Sequence, residues 1–461
     1  MVDQRSRVCD VAVVGAGFAG LAAARALTAH GHATTVIEAR DRVGGRVHNE
    51  HLPCGTALEV GGQWLGPTQD AVLELLGELG LATYDTYDEG VKLFEFHGQI
   101  HRYRGTIPRL NPLTLADIAQ TQLRLDRMAR RIPLDAPWNA PRAHRWDSET
   151  FASWIRRNVR TAGGRAYFTL ICEAVWAVAP SDLSLLHLLF YIHSGGGIDR
   201  LISTSDGAQR WRVTGGTQRI AERMAAELGD AVELGRPVRR IAQHHNGVTV
   251  DADGLQVQAN RVIVAVPPAL SVRIAYDPPL PGYRDQLCQR YAQGSVIKCM
   301  AVYPEPFWRD DGLAGQITSD NGPVKVGFDN SPPDGKPGVL LGFLEGNQAR
   351  ELARLDTAMR RTIVLDCFSR FFGPRASNPE HYVERSWADE EWSRGCYGGF
   401  LPPGGWTAHG PALREPAGRI HWAGTETATR WNGYMEGAVR SGYRAASEAA
   451  AARSGIQHPG R

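Results

Sequence analysis

A chain of 461 residues, 43% hydrophobic and 22% charged, has the composition of a soluble protein with two or three globular units and a large buried core. Its formal charge of +2, from 51 basic and 49 acidic residues, gives no bulk bias towards nucleic acid or an acidic membrane surface. Seven cysteines, at positions 9, 54, 172, 288, 299, 367 and 396, lack any CxxC or Cys/His ligand spacing, so reduced cytosolic thiols and no metal site are expected.

In chain order, Cys9 to Val14 predicts a short buried strand, and Gly15-Ala16-Gly17-Phe18-Ala19-Gly20 leads into the helical run LAAARALTAHG, closed by Gly31. The three glycines interrupt what would otherwise be the first long apolar run, and no later run is long and apolar enough for a bilayer. A cytoplasmic protein with no secretory signal and no membrane anchor is therefore expected. A second strand, TTVIEA, carries Glu38, eighteen residues after Gly20, near where a dinucleotide fold places an acid for ribose hydroxyls. Gly15 suits the tight turn, Gly17 the approach of backbone amides to a pyrophosphate, and Gly20 the packing of helix on strand. Next comes ARDRVGGRV, in which Arg40, Gly44, Gly45 and Arg46 suit a second approach of backbone and cation to a diphosphate-linked cofactor.

Residues 83–212 read as helix-rich, with a proline-punctuated loop at DAPWNAPRAHRW, and 213–288 as helix, strand, hairpin and buried strand ending in Pro267-Pro268. His244-His245 reads as a solvated turn. Residues 289–389 are strand-rich, and Lys298 there stands in the otherwise apolar VIKCMAVY, where an inward lysine needs a partner or a task. HWAGTE reads as a strand entering a glycine turn, and a helical pattern follows from Gly437. Residues 454–461 are polar and expected to be disordered.

The arrangement E-x-R-x-R-x-G-G-R from Glu38 to Arg46 resembles the flavin-dependent amine oxidases. So do GGQWLGPTQD (61–70), GSVIKCMAVYPEPFW (294–308), GCYGGFLPPGG and HWAGTETATRWNGYMEGAVRSGYRAA; together they resemble the flavin monoamine oxidases over about residues 9 to 450. The resemblance implies FAD and an α/β fold. A Rossmann-like FAD-binding domain would be assembled from the discontinuous segments 1–82, 213–288 and 390–453. A substrate domain of mixed sheet and helices would comprise 83–212 and 289–389.

The resemblance also assigns roles. Tyr397 and Tyr434 match the two tyrosines that flank the amine, and Lys298 matches the lysine that holds a water at the flavin and supports reoxidation by oxygen. Val238, Trp387, Gly424, Thr425, Glu426 and Met435 join the glycines, Glu38 and the arginines as cofactor contacts, with the backbone near Met435 and Glu436 facing the pyrimidine edge. Ile202 matches a gating side chain and Gln209 a polar substrate-site residue. Phe168, Leu170, Ile171, Cys172 and Phe343 would line an apolar cavity, and Val326 stands where mammalian relatives carry a bulkier residue.

Cys396 directly precedes Tyr397, the relation shown by the cysteine that bonds flavin in the membrane-bound relatives, so a covalent cysteinyl flavin is expected. Gly398 and Gly399 depart from those relatives, which carry larger residues there. The mammalian relatives also carry a C-terminal anchoring helix where this chain stops, so a soluble, bacterial-type enzyme is expected. The function implied is oxidative deamination of a hydrophobic primary monoamine (aralkyl, alkyl or cycloalkyl) to imine and aldehyde, with O2 reduced to H2O2. A polyamine or L-amino-acid oxidase on the same fold is the alternative. Lys298 together with both tyrosines argues against a non-catalytic flavin-binding module. Expected partners are a small-molecule amine and O2, without nucleic acid, with a homodimer as an open expectation.

Overall fold

The structure, a computed structural model, describes residues 5–105 and 110–451. The tail expected at 454–461 lies outside the described residues. Strand Arg5–Val14, helix Phe18–Ala29 and strand Thr34–Ile37 form the predicted opening unit. The two strands pair in parallel, Val11 opposite Thr34 and Val14 opposite Ile37. Both faces of a parallel sheet are covered, which is why residues 11–14 and 34–37 are buried without alternation.

The sheet grows on both sides. Val232–Glu233 pairs with Thr34–Ile37, and Leu255–Val264 pairs with Arg5–Val14. The hairpin Val238–His244 and Gly247–Ala252 extends it, turning at the exposed His245. Ile420–Trp422 then joins the far half of Leu255–Val264 in parallel. Helices Phe18–Ala29, Gln218–Leu228 and Met435–Ala451 share one apolar cluster containing Leu21, Ile220, Met224 and Val439. The last of these helices starts at Met435, two residues before the sequence periodicity becomes regular.

A second sheet of seven strands holds Val296–Tyr303 next to its edge, antiparallel to Gly338–Glu345 on one side and to the edge strand His381–Ser386 on the other. Alternation decides where each side chain goes. Ile297, Cys299 and Ala301 pack with Phe368 and other residues of helix Thr357–Phe372, whereas Val296, Met300 and Val302 face the opposite way, with Phe343, Trp387 and Cys396. Lys298 shares the second face. Helices Pro112–Ala129, Phe151–Asn158, Ala162–Trp176 and Leu185–Ser194 build a third cluster around Phe151, Phe168 and Phe190. The fold is mixed α/β. Among the described residues no helix is long and apolar enough to cross a membrane, and no group of His, Cys, Asp and Glu is suited to a metal ion. All seven cysteines are unpaired.

Candidate active site

One cavity of about 520 Å³ runs from the Gly15 turn, past Lys298 and Tyr397, to Ile202 and Gln209. At its first end a Cβ on Gly20 would lie 1.9 Å from the Gly15 carbonyl oxygen, so the helix Phe18–Ala29 can sit this close to the turn only with glycine there. Gly17 caps that helix without a side-chain hydrogen bond and without an acid in the first turn, leaving its amides free to meet an anion. A Cβ on Gly17 would meet nothing nearer than Gly45 Cα at 4.0 Å, so there is open space in front of it. Glu38 is buried, its Oε2 accepting from the Ala16 amide at 2.7 Å and its Oε1 from the Arg40 amide at 3.0 Å. Val238 lines the same end.

Midway, Lys298 is 3% exposed on a strand flanked on both sides, so it is an interior lysine. Its Nζ donates to the Glu59 carbonyl, to Gln63 Oε1 and, at 3.0 Å, to the Gly61 carbonyl. Burial pulls its pKa down to about 7, with the Glu59 carboxylate opposing that shift. Glu59 itself is tied up in a buried ion pair with Arg212.

Tyr397 and Tyr434 stand on segments pressed together: a Cβ on Gly398 would lie 3.1 Å from Gly433 Cα, and one on Gly399 would lie 2.5 Å from a Tyr291 ring carbon. Gly399 leaves room for the Tyr291 ring, and Gly398 lets the two segments come close with little strain. Tyr397 packs edge-on to Phe343, centroids 6.0 Å apart, and its hydroxyl donates to Glu345 Oε1 at 2.9 Å. Tyr434 packs on Tyr191 and Trp431, at 5.9 and 4.9 Å. Behind Tyr397, Arg46 donates to its carbonyl at 3.0 Å and to Glu426 at 2.6 and 3.1 Å. Burial would raise the Glu426 pKa, but Arg46 more than offsets this and keeps it below the ordinary value. Burial pushes the Cys396 thiol up to about 12, with Arg46 opposing.

The family model for flavin-containing amine oxidoreductases matches residues 18–450. This chain belongs to that family. It is 47% identical over 442 residues to a protein named as a flavin-containing monoamine oxidase in Mycobacterium tuberculosis, covering 96% of each chain. To human flavin-containing amine oxidase B it is 40% identical over 448 residues, covering 96% of this chain and 86% of the human one. Among solved structures it is similar to a putrescine oxidase bound to putrescine (TM-score 0.94, 37% identity, 97% and 100% coverage). It is also similar to the cyclohexylamine oxidase of Brevibacterium oxydans (TM-score 0.93, 32% identity, 97% and 99% coverage).

The cavity of this flavin amine oxidase fits an FAD. Free helix amides face open space at Gly17, Glu38 is fixed by two backbone donors, and the lining continues through Gly44, Gly45, Arg46, Gly424, Thr425 and Met435 to Cys396 and Tyr397. Arg40 also lines it and donates to Ser393 at 2.7 Å. Beyond the tyrosines the walls are Leu170, Ile171, Val175, Ile202, Val326, Phe328 and Phe343, with Gln209 held through its Nε2 by the Leu201 carbonyl at 2.9 Å.

Of the expected contacts, Gly20, Phe168, Cys172, Trp387 and Glu426 fall outside the lining. Phe168 and Cys172 do not line the cavity. Helix Ala162–Trp176 presents Tyr167, Leu170, Ile171, Ala174 and Val175, a single 3.6-residue stripe, and turns Phe168 and Cys172 into the helical core. Trp387 is likewise set back: it is buried on the lysine's face of the strand, outside the lining, and its Nε1 donates to the Val60 carbonyl at 2.8 Å. Glu426 supports Arg46 from behind the lining. The Glu436 carboxylate accepts from the Ala71 and Val72 amides at 3.2 and 2.8 Å, capping helix Asp70–Glu78.

Sequence reasoning missed Gln63, Tyr191, Trp431 and, above all, Glu345. That carboxyl is 3% exposed and ends the apolar strand GVLLGFLE, the same kind of signal that drew attention to Lys298.

Proposed function

We propose that this enzyme oxidises hydrophobic primary monoamines: R–CH2–NH2 + O2 gives R–CH=NH + H2O2, and water converts the imine to aldehyde and ammonia. Bound flavin supplies the two-electron acceptor and passes the electrons to oxygen. The observation that carries the reading is the apolar stripe of Leu170, Ile171, Ile202, Val326 and Phe343 leading to Tyr397 and Tyr434. Those two rings receive the amine through their negative faces and exclude water around it. Lys298, with three oxygen acceptors fixing its Nζ, supplies a positive end where oxygen gains charge.

Similarity to a putrescine oxidase gives the second reading, oxidation of a diamine. A diamine needs a free carboxylate at the outer end of the cavity. Lys92 lines the cavity there, and Asp88 beside it is already bound by Lys92, Gln316 and Thr204. That favours the monoamine. Peroxide release from benzylamine and phenethylamine, with putrescine and amino acids as comparators, tests it.

The same reading includes a thioether between Cys396, which lines the cavity, and the flavin. Yellow colour left wholly in the supernatant after acid precipitation would reject it. A homodimer in the cytoplasm, and the division into an FAD-binding and a substrate domain, belong to the proposal too; light scattering, cell fractionation and limited proteolysis test them.

A further inference from the structure

An amine enters water-exposed cavities mainly as its ammonium, yet only the neutral form can be oxidised, so the proton must go somewhere. Glu345 lies in the cavity lining at the end of strand Gly338–Glu345 and is 3% exposed. Its Oε1 is occupied by the Tyr397 hydroxyl at 2.9 Å, whereas its Oε2 is buried with no hydrogen-bond donor among the described residues. A buried acceptor left unpaired costs stability and calls for a partner that comes and goes.

We propose that Glu345 takes the proton from the substrate ammonium inside the cavity, accepting it at Oε2. This rests on the reading that Tyr397 and Tyr434 receive the amine. An N–H bond of R–CH2–NH3+ breaks, an O–H bond forms at Oε2, and neutral R–CH2–NH2 is left between the rings. No electrons move, and the proton leaves to solvent when the carboxyl ionises again.

The surroundings suit the exchange. Burial pushes the Glu345 carboxyl up to about 8, while the Tyr397 hydrogen bond pulls it down, Glu173 raises it and Lys325 lowers it. Glu173, on helix Ala162–Trp176, and Lys325, just before strand Val326–Asp329, are themselves ion-paired at 2.5 Å. Lys298, on the adjoining strand, also lines the cavity, as does Tyr434, the other tyrosine of the pair. A carboxyl at that level is about two pK units below a lysine-type ammonium, a gap that fast proton transfer tolerates.

The test compares kcat/KM from pH 6 to 10 for the holoenzyme and E345Q with benzylamine. E345Q can use only amine that is already neutral, so its deficit is about 100-fold at pH 7 and narrows to less than about threefold at pH 10. A deficit that is uniform with pH, or none, overturns the proposal. If E345Q does not fold, judged by flavin absorbance and melting, E345D takes its place: a wild-type-shaped profile at lower rate supports the assignment, and a rate equal to that of the wild type at every pH rejects it. Infrared titration of the wild type gives a readout without turnover, a buried carboxyl losing its proton near pH 8; its absence also overturns the proposal. Should only putrescine turn over, the monoamine reading falls, and the same comparison run with putrescine still decides Glu345.

Discussion

The Tyr397 hydroxyl donates a 2.9 Å hydrogen bond to Glu345 Oε1, so a tyrosine of the proposed aromatic pair and a buried carboxyl form one unit. Because this bond holds the carboxyl's pKa down against burial, Y397F lets it rise. The acid limb of kcat/KM is expected to move to higher pH in Y397F, by about one unit, when followed as peroxide release.

Glu345 also leaves a mark on stability. Its folded pKa, about 8, is above the ordinary carboxyl value of 4.5, so the folded state binds more protons in between. The stabilisation is complete below the unfolded value and is lost as pH rises through the folded one. Melting temperature measured from pH 5 to 9 is expected to decline more steeply in the wild type than in E345Q.

Lys298 has the opposite sign. Its folded pKa of about 7 is below the ordinary 10.5, so the unfolded chain binds more protons between the two and stability rises with pH across that window. K298M removes this dependence. It also removes the positive end of the group facing the cavity, and oxygen consumption is expected to fall about 100-fold.

The two glycines of the turn separate packing from binding. G20A forces a Cβ to 1.9 Å from a carbonyl oxygen and is expected to cost about 3 kcal/mol or to abolish soluble expression. G17A has room for its Cβ, so it is expected to fold with a normal circular dichroism spectrum and to lose the yellow cofactor, because the methyl fills the space before the helix amides.

Arg46 and Glu426 lie 380 positions apart and pair beneath Tyr397. E426Q removes the charge partner of a half-buried guanidinium and is expected to cost about 2 kcal/mol, seen as a lower denaturant midpoint.

Local chemistry made the nucleotide end legible: a strand, a turn that needs glycine at Gly15 and Gly20, and a helix start lie within a few residues of each other. Lys298 was legible because a charge in a buried strand stands out. Glu345 carries the same signal, but an acid at the end of an apolar run also reads as the strand's exit to water, and only tertiary packing buries it against Tyr397. Phe168 and Cys172 were misplaced because an apolar helix gives its period without its phase, and the cavity claims the neighbouring stripe. Trp387 and the Arg46–Glu426 pair depend on contacts between distant segments, which no local pattern encodes.

Anaerobic addition of amines to the yellow holoenzyme tests the central claim most directly. Bleaching of the flavin by benzylamine or phenethylamine, followed by one equivalent of peroxide on admitting oxygen, is predicted. Bleaching by putrescine or amino acids alone, with the hydrophobic monoamines inert, would contradict it.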